Sequence, residues 1–119
     1  PWQDQPVESS SGSGAVIRVR LPGQTAERQA VLTAAHVVAD SRYLQVQRST
    51  DRFSGEKFRA RVVAVCHEAD LALLSVEDPQ ALSGVTPLEV ACASRLPHVF
   101  DKVRVVGYPM GGDACSITE

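Results

Sequence analysis

Residues 14–33 read GAVIRVRLPGQTAERQAVLT, and their pattern sets the fold class. Ile17, Val19 and Leu21 alternate with Arg18 and Arg20, the period-two signature of a strand with one apolar face and one wet face. PGQT at 22–25 puts Pro22 and Gly23 side by side and reads as a tight turn. ERQAVLT then returns as a second strand that ends at Ala34, Ala35 and His36.

The same grammar continues down the chain. VVAD at 37–40 reads as a short helical turn after His36, and YLQVQ at 43–47 alternates again. The polar RSTDRFSGEK marks a loop or hairpin end before a longer strand, FRARVVAVC. A brief break, HEA, leads into the strand DLALLSV. Residues 78–101 carry Pro79, Pro87 and Pro97 and no clear period, so they read as a connection. KVRVVGYP supplies a last strand that stands apart, as the opening of a second unit. Short strands separated by turns, with no helix beyond one or two turns, predict an all-β barrel or sandwich. Residues 1–13, with two prolines and a serine cluster, form an extended lead-in whose one anchor candidate is Trp2.

Composition narrows the function classes. Of the 119 residues, 44% are hydrophobic, which supports a folded domain, but only 5% are aromatic, so valine, alanine and leucine must fill the core. A net charge of −2 gives no global reason to expect nucleic acid or an anionic membrane. Residues 14–65 are basic, with nine Arg/Lys against four Asp/Glu, and residues 66–119 acidic, with three against eight. No aromatic side chains interleave with the basic ones as a single-strand binder needs, so Arg18, Arg20, Arg59 and Arg61 read as the wet faces of strands. Nothing approaches a membrane span. Cys66, Cys92 and Cys115 are odd in number, widely spaced and without a CxxC, which indicates reduced thiols rather than a disulfide framework or zinc site. The apolar neighbours of Cys66 and Cys92 predict burial, and Cys115 is the better redox candidate. His67 and His98 read as solvated loop residues. Gly107, Gly111 and Gly112 read as turn formers, since no phosphate-loop lysine follows.

Two ionisable residues stand in apolar surroundings at predicted strand ends: His36 in LTAAHVV and Asp70 in ADLALL. Their separation of 34 positions is enough for two strands to run out and back. A buried carboxylate accepting the imidazole N–H would fix the ring's tautomer and stabilise its protonated form. Burying Asp70 without a partner would be costly, so the pair explains each member better than either explains itself. Ala34 and Ala35 would leave room for a substrate beside the ring.

LTAAHVV, ADLALLSV, VVGYPMGGDACSIT and the lead-in SGSGAVI together resemble the Deg/HtrA family of trypsin-like serine proteases, most of all its plant and algal branch. The resemblance implies a trypsin-like double β-barrel with the active site between the barrels. Residues 14–97 would then be the first barrel, and 98–119 the start of a truncated second barrel whose last segment opens a regulatory loop. It implies His36 as general base and Asp70 as its orienting partner. It further implies an ATP-independent endopeptidase of protein quality control that needs no metal or organic cofactor and acts on unfolded or damaged proteins. A trimer-based homo-oligomer and a chloroplast address follow from the same resemblance, with mitochondrion and nucleus as alternatives.

One element of the family pattern is missing. The nucleophile lies in a Gly-Asn-Ser-Gly-Gly motif, and these 119 residues contain none. Ser13 lies between two glycines but precedes the first strand, and Ser116 matches a serine without catalytic duty. The chain by itself is therefore expected to be inactive and its full-length parent active. The alternative is a protease-like barrel that lost its nucleophile and serves binding or assembly.

Overall fold

The computed structural model describes residues 11–39, 43–48, 57–107 and 116–118. Five strands form one antiparallel sheet: β1 (Gly14–Val19), β2 (Arg28–Thr33), β3 (Leu44–Gln47), β4 (Lys57–Cys66) and β5 (Leu71–Val76), in the order β1-β2-β5-β4-β3. The one α-helix among the described residues, α1 (Ala35–Val38), is a single turn after β2. A second, two-stranded sheet pairs β6 (Val105–Gly107) with β7 (Ser116–Thr118). The chain is thus all-β with antiparallel pairing, as a trypsin-like barrel requires.

The β1–β2 hairpin follows from its sequence. Ile17 is buried, while Arg18 and Arg20 face water and both approach Glu27, at 3.7 and 3.9 Å. Exposed pairs of this kind contribute at most about 1 kcal/mol each, so burial rather than charge holds the hairpin. Its turn closes with Gln24 N–H donating to Leu21 O at 3.0 Å, and Gly23 has φ +81°. Proline followed by a left-handed glycine is the type II arrangement.

The β4–β5 hairpin carries a feature the sequence hid. Val62 pairs with Leu74 but Ala64 pairs with Leu73, so Val63 is an extra residue in β4. Such a bulge shifts the inward phase of the strand by one. Ala60 and Val62 face the same side as Val76 and Leu74, and beyond the bulge Val65 faces that side opposite Ala72. The core is small: Val31, Val38, Ala60, Ala72 and Leu74, with Val37, Leu44, Val46, Val76 and Leu82 packed on it.

The phase shift corrects the expected burial of Cys66. It pairs with Leu71 on the side away from the core, and it is exposed. Cys92 is exposed too, because it caps a 3₁₀ turn (Ala93–Arg95) in the connection rather than packing behind it. Cys115 and Trp2 lie outside the described residues, as do Gly111 and Gly112.

Residues 77–104 run as turns and extended chain. Leu88 bridges Ile17, with Leu88 N–H donating to Val16 O at 2.8 Å, so the connection lies along the outer edge of β1. From there the chain shows water an unusual run of large apolar side chains: Leu88, Val90, Leu96, Val99, Phe100, Val103, Val105 and Val106. Of the strand expected at 102–109, residues 102–104 are not strand, Val105–Gly107 is, and residues 108–109 lie outside the described residues; a further strand, β7, follows it. Ser116, expected in a loop, opens β7 opposite Gly107.

Candidate active site

His36 and Asp70 meet. β2 delivers His36 to the second residue of α1, and the tight turn after β4 delivers Asp70 to the head of β5, its neighbour in the sheet. His36 Nδ1 lies 2.5 Å from Asp70 Oδ2, and His36 N–H donates to Asp70 Oδ1 at 2.8 Å. Each carboxylate oxygen therefore takes one proton donor from the same residue.

Asp70 also completes the helix. Ala34 at the N-cap has no side chain to satisfy the first-turn N–H groups. Asp70 supplies what a capping residue would. Its backbone O accepts from Ala35 N–H at 3.0 Å, and its side chain takes the next N–H, that of His36. The conformation that permits this is unusual: Asp70 has φ +55°, in the left-handed region that Asp tolerates better than most residues. Asp70 N–H donates to His67 O at 3.2 Å and closes the turn.

The electrostatics follow from these contacts. The Asp70 carboxyl is held below its ordinary value chiefly by the hydrogen bond from the His36 ring, then by that from the His36 backbone. It is ionised at neutral pH and can only accept hydrogen bonds. In the neutral ring Nδ1 must therefore carry the proton, which leaves the lone pair on Nε2.

Two expectations fail here. The Asp70 carboxylate was expected to be buried, yet its side chain is 50% exposed, and that of His36 is 74% exposed. The apolar neighbours that suggested burial point the other way: Ala35, Val38, Ala72 and Leu74 are buried, leaving the two polar residues on the outer rim. For the same reason Ala35 lines no space beside the ring, being 4% exposed within the core.

The other candidates separate cleanly. His67 and His98 are exposed in turns. His98 N–H donates to Asp101 Oδ2 at 2.6 Å, a local turn contact. Among the described residues no three His, Cys, Asp or Glu side chains gather as a metal site would need. Cys92, read from sequence as inert, has its thiol 3.0 Å from Ser94 Oγ, and that hydrogen bond holds its pKa below the ordinary value. A Cys-X-Ser ahead of a turn was the available signal.

Comparison with known proteins gives the family. The family model for the trypsin-like peptidase domain matches residues 12–119. The chain belongs to that family. Its relatives place it with the Deg/HtrA proteases, mostly plant Do-like proteins. It is 39% identical, over its whole length, to "Protease Do-like 4, mitochondrial" of Arabidopsis thaliana, of which it covers 20%. It is 37% identical to "Protease Do-like 2, chloroplastic" of the same plant, covering 17%. Over 118 residues, 99% of the chain, it is 31% identical to "Serine protease DegP homolog" of Plasmodium falciparum, covering 12%. This Deg/HtrA chain thus spans no more than about a fifth of these relatives.

Proposed function

We propose that His36 is the general base and Asp70 its orienting partner in a Deg/HtrA-type serine endopeptidase whose nucleophilic serine lies outside these 119 residues. The observation that carries this reading is the double hydrogen bond from His36 to Asp70, which leaves an exposed Nε2 lone pair.

In the proposed reaction Nε2 takes the serine hydroxyl proton as the oxygen attacks the peptide carbonyl carbon. The positive ring is stabilised by the adjacent Asp70 charge. The ring then gives the proton to the leaving amine as the C–N bond breaks, leaving an acyl-enzyme. Water repeats the cycle, with Nε2 as base, and releases the acid and the free serine. Asp70 stays ionised throughout. No step calls on a metal or organic cofactor.

We read residues 14–97 as the first barrel and 98–119 as the start of the second. Support comes from the separate β6–β7 sheet and from the apolar run between residues 88 and 106, which suits a face that packs against further protein. The high exposure of His36 and Asp70 fits a site at the rim of a cleft whose other wall is the second barrel. The family membership supports unfolded or damaged proteins as substrates, ATP-independent quality control and a trimer-based assembly. The relatives' names divide between mitochondrion and chloroplast, which favours an organellar address over the nucleus.

The test is casein degradation by the full-length protein. His36→Ala should abolish cleavage while leaving the circular dichroism spectrum and melt near wild type. Undiminished cleavage by that variant would remove His36 from the mechanism, whereas a wild-type protein that cleaves nothing would favour the binding-module reading.

A further inference from the structure

The lead-in to β1 presses on the helix that carries His36. A Cβ built on Gly12 would stand 2.8 Å from both Cγ1 and Cγ2 of Val37 and 3.4 Å from its Cβ. Val37 is the residue after His36. Ordinary van der Waals contacts to a Cβ lie at 3.4–4 Å, so glycine is what allows the approach.

Rotation of Val37 cannot relieve such a clash. Its two methyls occupy two of three staggered positions, and both occupied positions face Gly12. Either alternative rotamer still leaves a methyl in one of them. A side chain at position 12 must therefore move backbone.

The lead-in is the worse candidate to move. Ser13 O accepts from the buried Thr33 Oγ1 at 2.8 Å. Gly14 pairs with Thr33, and a Cβ there would meet Val31 Cγ1 at 2.7 Å. On its other side Ser13 Oγ lies 3.0 Å from where a Cβ on Gly107 would stand. Residues 12–14 are thus wedged between β2 and β6. By contrast α1 is a single turn, four residues long, whose first two N–H groups are held by Asp70.

We propose that Gly12 is a positioning residue: its missing side chain lets the lead-in and Val37 clamp α1 in the one placement that brings His36 onto Asp70. The consequence for rate rests on the catalytic reading of His36, but the geometric consequence does not. Opening the contact from 2.8 Å to an ordinary 3.4 Å displaces α1 by about 0.6 Å. Misplacement of about 1 Å can cost on the order of a hundredfold in rate, so Gly12→Ala should lower kcat roughly tenfold with KM little changed.

The experiment uses the full-length protein with ¹⁵N-labelled histidine, following the His36 Nδ1–H resonance by NMR alongside kcat and KM on a peptide substrate. Gly12→Ala should shift or broaden that resonance and lower kcat. Val37→Ala, which removes the clamp from the other side, should broaden the same resonance and cost kcat a few-fold. The double variant adds one methyl at position 12 where Val37 has lost two, which relieves the clash, and should lie closer to wild type than Gly12→Ala does. A wild-type resonance in Gly12→Ala, with only the melting temperature lowered, overturns the proposal. So do single-variant effects that simply add in the double. Should Gly12→Ala not fold, an unchanged resonance and kcat in Val37→Ala overturn it equally. Full activity of His36→Ala would instead strike the catalytic reading and leave the resonance test standing.

Discussion

Replacing Asp70 with Asn keeps the side chain's shape and inverts half of its hydrogen bonding. Asp70 now accepts from two donors, the His36 backbone N–H at 2.8 Å and the ring Nδ1 at 2.5 Å. A backbone N–H can only donate, so the amide oxygen of Asn must take the Oδ1 position. The amide NH₂ then faces Nδ1, which has to accept. The ring proton moves to Nε2 and blocks the lone pair that the proposed mechanism needs. In a protease triad this change of tautomer, with geometry intact, costs about 10⁴ in kcat. We expect a loss of that order here, with KM little altered. The fold should persist, because Asp70 is half exposed and Asn still accepts the backbone N–H that caps α1. The assay is peptide cleavage by the full-length protein, paired with ¹⁵N NMR of the His36 ring to read its tautomer. A kcat above a tenth of wild type, or a ring that keeps its proton on Nδ1, would show that Asp70 does not set the tautomer of His36 for catalysis.

Acid sensitivity follows from the same contact. Asp70 has its folded pKa below the ordinary 3.8, so its contribution to stability is present above that value and is lost as pH falls through the lower one. Asp70→Asn should therefore lose less stability than wild type as pH drops below about 3.8, as urea titrations across that range would show. Leu74→Ala empties a site only 5% exposed at the centre of the core and should destabilise by about 2–4 kcal/mol in urea unfolding. Expressed alone, residues 1–119 should aggregate or melt without cooperativity, because Val99 and Phe100 are 83% and 99% exposed within a longer apolar run. A sharp two-state melt of a monomer on size exclusion would contradict that expectation.

The parts of this fold that were legible in the sequence are those set by local chemistry. Ile17, Arg18, Val19 and Arg20 alternate because one face of β1 is wet, and Pro22-Gly23 names its own turn. The parts that were hidden depend on partners distant in the chain. The Val62–Ala64 bulge sits in an unbroken apolar run, VVAV, where period two leaves no trace, and it alone turned Cys66 outward. Three-residue β7 is too short to carry a pattern. α1 starts two residues earlier than its sequence suggested, since its first N–H groups are capped by Asp70, a distant residue, and not by Ala34. The pairing of His36 with Asp70 was legible because each is an odd residue in its own apolar stretch. Their exposure was not, because hydrophobic neighbours along the chain say nothing about which way a strand end faces.

In the proposed reaction His36 activates a serine that these 119 residues do not contain. Its most direct test is labelling of the full-length protein with a fluorophosphonate, which reacts with activated serines, followed by mass spectrometry of the labelled peptide. A single labelled serine outside residues 1–119 is expected, with labelling lost in His36→Ala. A protein that takes no label, or one whose serine is labelled equally well without His36, would contradict it.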